Sequence, residues 1–306
     1  MKENEVIIVD DIIDAEYDFL IESCIKYAII SLPFTVDRMA IPDERQRALN
    51  IAKGKIAESL FQFFCKKNNI FPNFDICSTP FWTVDKRDFL LNGIEWDIKN
   101  NFIYCPNILY HGNYTDLPAL IPNRFNGDQW TKKDEKLIIK SNGVSYLFTF
   151  LKNASLINGE RTKEFLEIIL TQGQQSFIRS LYLKFNGLPQ STSPFDEKWF
   201  WSEMSKYGTQ SLFKLSFRPQ LVITGYADSS LWQDFKDTGP YDRNNNWQTF
   251  RQPRWYTKTS KGSCNFLNGT LWTTITNSTL PVENLKPFID LYPNLRNEIK
   301  CGRIKY

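Results

Sequence analysis

The chain has 306 residues, of which 42% are hydrophobic and 15% aromatic, and its formal net charge is +3. This apolar content supplies a full core and argues against intrinsic disorder, and the length suits one large domain or a core with an appended subdomain. The small net charge excludes a polycation, so any surface for nucleic acid must be local. The cysteines are scattered without a Cys-x-x-Cys pair and His111 is the only histidine, which argues against a zinc site.

The first residues and the hydropathy of the chain bear on localisation. The N-terminal segment is acidic, whereas a signal peptide begins with a basic segment and continues into an apolar one. No apolar run approaches the ~20 residues that span a bilayer. We therefore expect a cytoplasmic protein with reduced thiols and no association with a membrane.

Two helices are predicted in the first part of the chain. In residues 11–31 apolar side chains recur at helical spacing, with acidic residues on the other face. Residues 43–68 form the second predicted helix, with Asp43 as its N-cap. Gln46 could complete a capping box with Asp43, and the two asparagines that begin at Asn68 are a suitable end.

A β-hairpin follows, and it is the most informative segment of the sequence. Its predicted strands are residues 79–91 and 94–103, and it turns on Asn92-Gly93, which is the strongest short signal for a hairpin. A two-residue loop fixes which residues of the two strands face each other. The expected pairs are Leu91 with Ile94, Phe89 with Trp96, and Asp88 with Asp97.

The two faces of this hairpin differ in polarity, because side chains alternate with a period of two. The apolar face contains Phe89, Leu91, Ile94, Trp96 and Ile98, and the other face contains Asp88, Leu90, Glu95, Asp97 and Lys99. Two carboxylates ~5 Å apart across a ladder destabilise it, unless a cation binds between them. Carboxylates beside a lysine suit a hard divalent metal that acts on phosphodiesters.

The remaining elements predict an α/β fold, with a mixed sheet flanked by helices. Residues 104–143 are rich in Pro, Gly and Asn and are interpreted as a surface insertion, in which residues 136–140 could pair in a sheet. Strands are predicted at 144–151 and 221–226. Helices are predicted at 161–186, with an interruption near Gly173, and at 196–207 and 229–235.

The segment 243–281 is basic and aromatic and contains no acidic residue. Its cations could follow phosphates while its aromatic rings stack on bases. The alternative is that the rings belong to a core and the charges are simply solvated. The candidate residues for phosphate contacts are Arg251, Arg254, Lys258 and Lys261.

The helix before the hairpin contains Gly54 and, four residues later, Glu58. Together with Asp88 and the sequence Asp97-Ile98-Lys99, this order resembles the PD-(D/E)XK nuclease superfamily, which has the restriction-endonuclease-like fold. The resemblance covers about residues 43–102. It departs from the pattern at Arg87, which stands where the family often has proline.

The resemblance implies a metal-dependent endonuclease. Asp88, Asp97 and the backbone carbonyl of Ile98 would bind Mg²⁺, for which Mn²⁺ can substitute, and Glu58 would bind it directly, through water, or at a second metal. Lys99 would hold or deprotonate the attacking water, and Lys55 would contact nucleic acid. The expected enzyme is a homodimeric deoxyribonuclease for double-stranded DNA, most like a type II restriction or related defence endonuclease of a prokaryotic cell.

Other interpretations stay open at this point. The enzyme could be a structure-specific, mobile-element or RNA-directed nuclease, or the chain could bind nucleic acid through an inactive nuclease core. Glu58 could be a surface carboxylate paired with Lys55 or Gln62. Gly54 could serve close helix packing or let the backbone approach a phosphate.

The expected organisation has three parts. Residues 1–42 would be an N-terminal helical extension, and residues 43–236 the nuclease core with its insertion at 104–143. Residues 237–306 would be a C-terminal region that packs on the core and contacts nucleic acid.

Overall fold

The protein has a mixed α/β architecture in a computed structural model, which describes residues 1–9, 12, 14–35, 43–83, 87–104, 106–122, 144–162, 164–237, 256–258, 264–266, 271–273 and 277–295. The helices are α1 (Asp14–Ser31), α2 (Glu44–Lys67), α3 (Pro106–His111), α4 (Gln172–Phe185) and α5 (Glu197–Ser205). The strands are β1 (Ile7–Val9), β2 (Phe89–Leu91), β3 (Ile94–Ile103), β4 (Pro118–Pro122), β5 (Val144–Lys152), β6 (Leu156–Ile157), β7 (Glu160–Arg161), β8 (Leu166–Ile168), β9 (Phe213–Leu215), β10 (Leu221–Ala227), β11 (Lys236–Asp237), β12 (Tyr256–Lys258), β13 (Cys264–Phe266), β14 (Leu271–Thr273), β15 (Asn277–Pro281) and β16 (Lys286–Pro287).

The central sheet is mixed and has the strand order β1-β10-β5-β3-β2, with β16 also paired to β10. Strands β3 and β5 are parallel, and the other neighbours are antiparallel. The almost uninterrupted apolar sequence of β5 predicts a strand covered on both faces. The structure confirms this, because Leu147 and Leu151 lie in one apolar cluster while Phe148 and Phe150 lie in another.

Helix α2 covers the sheet and carries part of the candidate site. It begins at Asp43, whose Oδ1 accepts hydrogen bonds from the amides of Arg45 (2.8 Å) and Gln46 (3.1 Å). The side chain of Gln46 instead donates to Asn50 (3.0 Å), and no capping box is formed. Small and large apolar residues recur every four positions and are buried against α1 and the sheet: Ala48, Ala52, Ile56, Leu60 and Phe64.

Two predicted elements are wrong in part. Residues 79–83 are not a strand and contain a turn at 81–82, and the first hairpin strand is only Phe89–Leu91. The predicted helix 161–186 is replaced in its first half by β8, in which Leu166 and Ile168 are buried and Glu167 is exposed, as an alternating strand requires. Helix α4 begins only after Thr171, which forms a reciprocal capping box with Gln174.

Segments that the sequence assigns to an extension and to an insertion contribute strands to the sheets. β1 lies within the predicted N-terminal helical extension and pairs with β10. In the predicted surface insertion, β4 pairs with β15 and buries Ala119 and Ile121, so this part of the segment belongs to the core. The possible strand 136–140 lies outside the described residues. None of the helices in the described part of the chain combines the length and apolar character that crossing a bilayer requires.

Candidate active site

The hairpin of β2 and β3 forms one wall of the site. Asn92 and Gly93 both have positive φ (54° and 77°), as a type I′ turn requires. The predicted pairing is confirmed as far as Phe89, which lies opposite Trp96 with the two rings stacked at 5.8 Å. The apolar face of the hairpin is thereby fixed in the core, and the carboxylates lie on the other face.

Asp88 departs from the predicted register. The ladder ends at Phe89, and the amide of Asp88 donates to the carbonyl of Trp96 (2.9 Å). Asp88 and Phe89 therefore both lie opposite Trp96. The predicted direct pairing of Asp88 with Asp97 is therefore wrong. The carboxylate of Asp88 still returns to β3, because its Oδ2 accepts a hydrogen bond from the amide of Ile98 at 2.5 Å.

Asp97 and Lys99 form a largely buried ion pair on the polar face of β3. The Lys99 Nζ lies 2.8 Å from Asp97 Oδ1 and 5.5 Å from the centre of the Tyr146 ring. Arg87 approaches the other oxygen, Asp97 Oδ2, only to 4.0 Å, and it also pairs with Glu95 (3.5 Å). Asp97 is 4% exposed, and its Oδ2 is buried without a hydrogen bond from the described residues.

Glu58 and Lys55 form the opposite wall, on α2. Lys55 Nζ lies 2.6 Å from Glu58 Oε2, and it also lies 5.3 Å from the ring centre of Tyr27 on α1. The surface pairing of Glu58 with Lys55, which the sequence left as an alternative, is thus present. It does not decide whether Glu58 also binds a metal.

A cleft of about 280 Å³ lies between α2 and Arg87 and Asp88, which lead into β2, and Asp97 and Lys99 are not part of its lining. Its lining comprises Tyr27, Lys55, Glu58, Ser59, Gln62, Phe74, Asp75, Cys77, Ser78, Thr79, Arg87 and Asp88. Sequence reasoning did not assign Tyr27, Ser59, Gln62 or the segment that follows α2. The spacing of Ser59 and Gln62 from Lys55 could have indicated a polar stripe on α2, but Tyr27 and the loop carry no such signal.

The electrostatics of the cleft disfavour a charged Asp88. Burial raises the pKa of the Asp88 carboxyl well above its usual range, and the nearby charges of Glu58 and Asp97 raise it further. The hydrogen bond from Ile98 and the charge of Lys55 oppose this shift. A site in which carboxylates repel one another in this way gains free energy when a cation binds.

Cys24 lies next to α2, the helix wall of the site, but is unsuited to nucleophilic chemistry. The Cys24 Sγ lies 3.4 Å from the hydroxyl oxygen of Ser59. Burial raises the pKa of this thiol to about 12. Because the thiolate is the reactive form, Cys24 is expected to be inert at neutral pH.

The carboxylates that the sequence predicts as metal ligands are Glu58, Asp88 and Asp97, and the charges of Glu58 and Asp97 both act on Asp88. In the positions that the described residues adopt, no three His, Cys, Asp or Glu side chains converge on one point as a metal site requires. The donor chemistry nevertheless fits a hard divalent cation, because carboxylates flank the cleft and Asp97 Oδ2 is buried without a hydrogen bond.

The predicted phosphate contacts near the C-terminus fall largely outside the described residues. This applies to Arg251, Arg254 and Lys261, and to the side chain of Lys258 on β12. Comparisons with protein-family models, curated proteins and solved structures found no match for this chain. Its function is therefore argued from the site itself.

Proposed function

We propose that this protein is a metal-dependent nuclease with a restriction-endonuclease-like core. The observation that carries the proposal is the position of Asp88, whose carboxylate is held by the amide of Ile98 beside the buried pair of Asp97 and Lys99. The raised pKa of Asp88 and the unsatisfied Asp97 Oδ2 support a cation at this place. Simple solvation of a polar strand face does not explain Asp97, which is 4% exposed, beside a half-buried Asp88.

The residues suited to hold Mg²⁺ or Mn²⁺ are Asp88, Asp97 and Glu58, together with the backbone carbonyl of Ile98. When bound, such a metal polarises a phosphoryl oxygen and acidifies a water molecule. Lys99 is held by Asp97 and faces the Tyr146 ring. From there its ammonium group orients the attacking water and stabilises the negative charge that develops on it.

The substrate that we propose is double-stranded DNA, and the reaction is hydrolysis of its phosphodiester bonds. This choice follows the resemblance of the carboxylate and lysine pattern to type II restriction and related defence endonucleases. A homodimer would place two such sites on the two strands. Structure-specific, mobile-element and RNA-directed nucleases use the same chemistry, so substrates of these classes belong in the same assay.

One observation favours a second candidate, a nucleic-acid-binding protein with an inactive nuclease core. Three carboxylates do not converge within the described residues, and cations already pair with Asp97 and Glu58. In that case the protein would bind DNA or RNA equally well with and without a divalent metal, and it would cleave neither.

Cleavage of plasmid DNA, phage DNA, branched DNA and RNA in Mg²⁺ and in EDTA tests the proposal. We expect cleavage in Mg²⁺ only, and a loss of about 10²- to 10³-fold in Asp97→Asn and Lys99→Gln, as for other groups that act on the developing charge. Glu95→Gln is the matched control, because Glu95 lies on the same strand and is exposed. Circular dichroism shows whether each variant is folded. The assignment is wrong if folded Asp97→Asn and Lys99→Gln both cut at the wild-type rate.

A further inference from the structure

We infer that Lys55 is a built-in counter-cation of the site, and that a divalent metal releases its ammonium group from Glu58 to the nucleic-acid backbone. The inference rests on the proposed nuclease function and adds a coupling between the binding of metal and of substrate. It gives Lys55 two successive partners, Glu58 and then a phosphate, which the sequence indicates only as separate possibilities.

The ion pair of Lys55 and Glu58 lies in the cleft. Lys55 and Glu58 are separated by 2.6 Å, and their side chains are 23% and 27% exposed. Both line the cleft that contains Asp88. A partly exposed pair of this kind contributes little to stability. In this cleft the charges of Lys55 and Glu58 both act on the carboxylate of Asp88.

Each carboxylate of the site already has a positively charged or hydrogen-bonding partner. Glu58 has Lys55, Asp97 has Lys99, and Asp88 has the amide of Ile98. Among the described residues these carboxylates do not converge on one point. A divalent cation concentrates two charges at one point, so it can draw Glu58 away from a single ammonium group.

The side chain of Lys55 can reach a phosphate in the cleft after Glu58 has turned to the metal. Its flexible four-carbon side chain starts from α2 and lines the cleft, as the side chain of Arg87 also does. Once Glu58 turns to the metal, the ammonium group of Lys55 is available to a phosphate in the same cleft. Metal and nucleic acid then each increase the affinity for the other, as linkage requires.

Binding of Mn²⁺, measured by electron paramagnetic resonance without nucleic acid, tests the first half of this inference. We expect Lys55→Gln to bind Mn²⁺ about tenfold more tightly than the wild type, because one competing charge is removed. Lys206→Gln is the matched control, since Lys206 pairs with Glu203 at 2.5 Å with the same separation of three residues and does not line the cleft. It should bind Mn²⁺ as the wild type does.

The outcomes separate this inference from the proposed function. If the wild type binds Mn²⁺ and Lys55→Gln binds it no more tightly, the role of Lys55 is wrong while the nuclease proposal stands. If neither protein binds Mn²⁺, the metal-dependent function is wrong and the inference fails with it. Glu58→Gln should weaken Mn²⁺ binding, and an unchanged affinity would show that Glu58 is not a ligand, which also contradicts the exchange.

The salt dependence of DNA binding tests the second half. In Ca²⁺, used as a probe metal, Lys55→Gln should reduce the slope of log K against log salt by about 1, which corresponds to the loss of one phosphate contact. In EDTA the slopes of the wild type and the variant should agree, because Lys55 remains on Glu58. Equal reductions in Ca²⁺ and EDTA would show a phosphate contact that is independent of the metal and would overturn the coupling.

Discussion

The hairpin and α2, the two walls of the candidate site, differ in how their charged groups are held. On the hairpin wall, Asp97 and Lys99 are buried on a strand whose register is fixed by a two-residue turn and by the stacked pair of Phe89 and Trp96. On the helix wall, the charged groups of Lys55 and Glu58 lie at the ends of flexible and partly exposed side chains. The hairpin can therefore provide a rigid half of a metal site, and the helix an adjustable half.

The largest expected difference between the walls is in stability. Asp97→Ala leaves Lys99 largely buried without its carboxylate, which should lower the free energy of unfolding by about 3 kcal/mol. Glu58→Ala removes a partly exposed partner and should cost less than about 1 kcal/mol. Urea denaturation without metal measures both values. Equal losses would mean that the two walls are held alike.

Glycines on the two walls should respond in opposite directions to substitution by alanine. Gly93 has a φ of 77°, so Gly93→Ala strains the turn and should destabilise the protein by about 1 kcal/mol. Gly54 lies inside α2, and a Cβ there meets no described atom within 4 Å, which argues against a role in close packing. Gly54→Ala should therefore stabilise the protein by roughly 0.5–1 kcal/mol.

Thermal unfolding and cleavage together decide what Gly54 does. If Gly54→Ala is more stable but cuts much more slowly, the backbone at Gly54 approaches the substrate. If it is more stable and cuts normally, the glycine has no role in binding. A destabilised Gly54→Ala would contradict the open space that the structure shows beside this residue.

The smallest expected effect is a dependence of stability on pH that arises at Asp88. The folded protein raises the pKa of this carboxyl through burial and through Glu58 and Asp97, so it binds the proton more tightly than the unfolded chain does. The stabilisation is full below the usual pKa of aspartate and is lost as the pH rises through the raised value. Asp88→Asn stays neutral, so without metal it should be more stable than the wild type at pH 8.

The comparison of Asp88→Asn with the wild type isolates this group from other carboxylates that titrate in the same range. Melting temperatures at pH 4 and pH 8 suffice. The advantage of the variant should be larger at pH 8 than at pH 4. An advantage that is the same at both values would show that Asp88 carries no raised pKa in the folded protein.

Local signals in the sequence predicted the hairpin wall more completely than the helix wall. The Asn92-Gly93 turn and the alternation after it are sufficient to place Phe89, Trp96 and the polar face. The predicted register is wrong at Asp88 because the amide of Asp88 donates a hydrogen bond to the carbonyl of Trp96, the residue that also pairs with Phe89. The predicted strand before it contained one signal of a turn, Pro80, whose carbonyl accepts a hydrogen bond from the amide of Thr83 (3.0 Å).

The helix wall depended on long-range packing. Asp43 and the apolar stripe predicted α2 itself, but the approach of Tyr27 from α1 and the closure of the cleft by residues 74–79 follow from tertiary contacts. For the same reason, residues 161–171 were wrongly predicted as helix, since β8 exists only in its pairing with β9. Short apolar runs of this kind fit a helix or a strand equally well.

The central claim is that the two walls meet at one divalent cation. Anomalous diffraction from crystals soaked in Mn²⁺ tests this most directly. We expect a manganese peak bound by Asp88 and Asp97, with Glu58 turned toward it and Lys55 no longer paired with Glu58. A well-ordered site with no manganese peak, and with the ion pair of Lys55 and Glu58 unchanged, would contradict it.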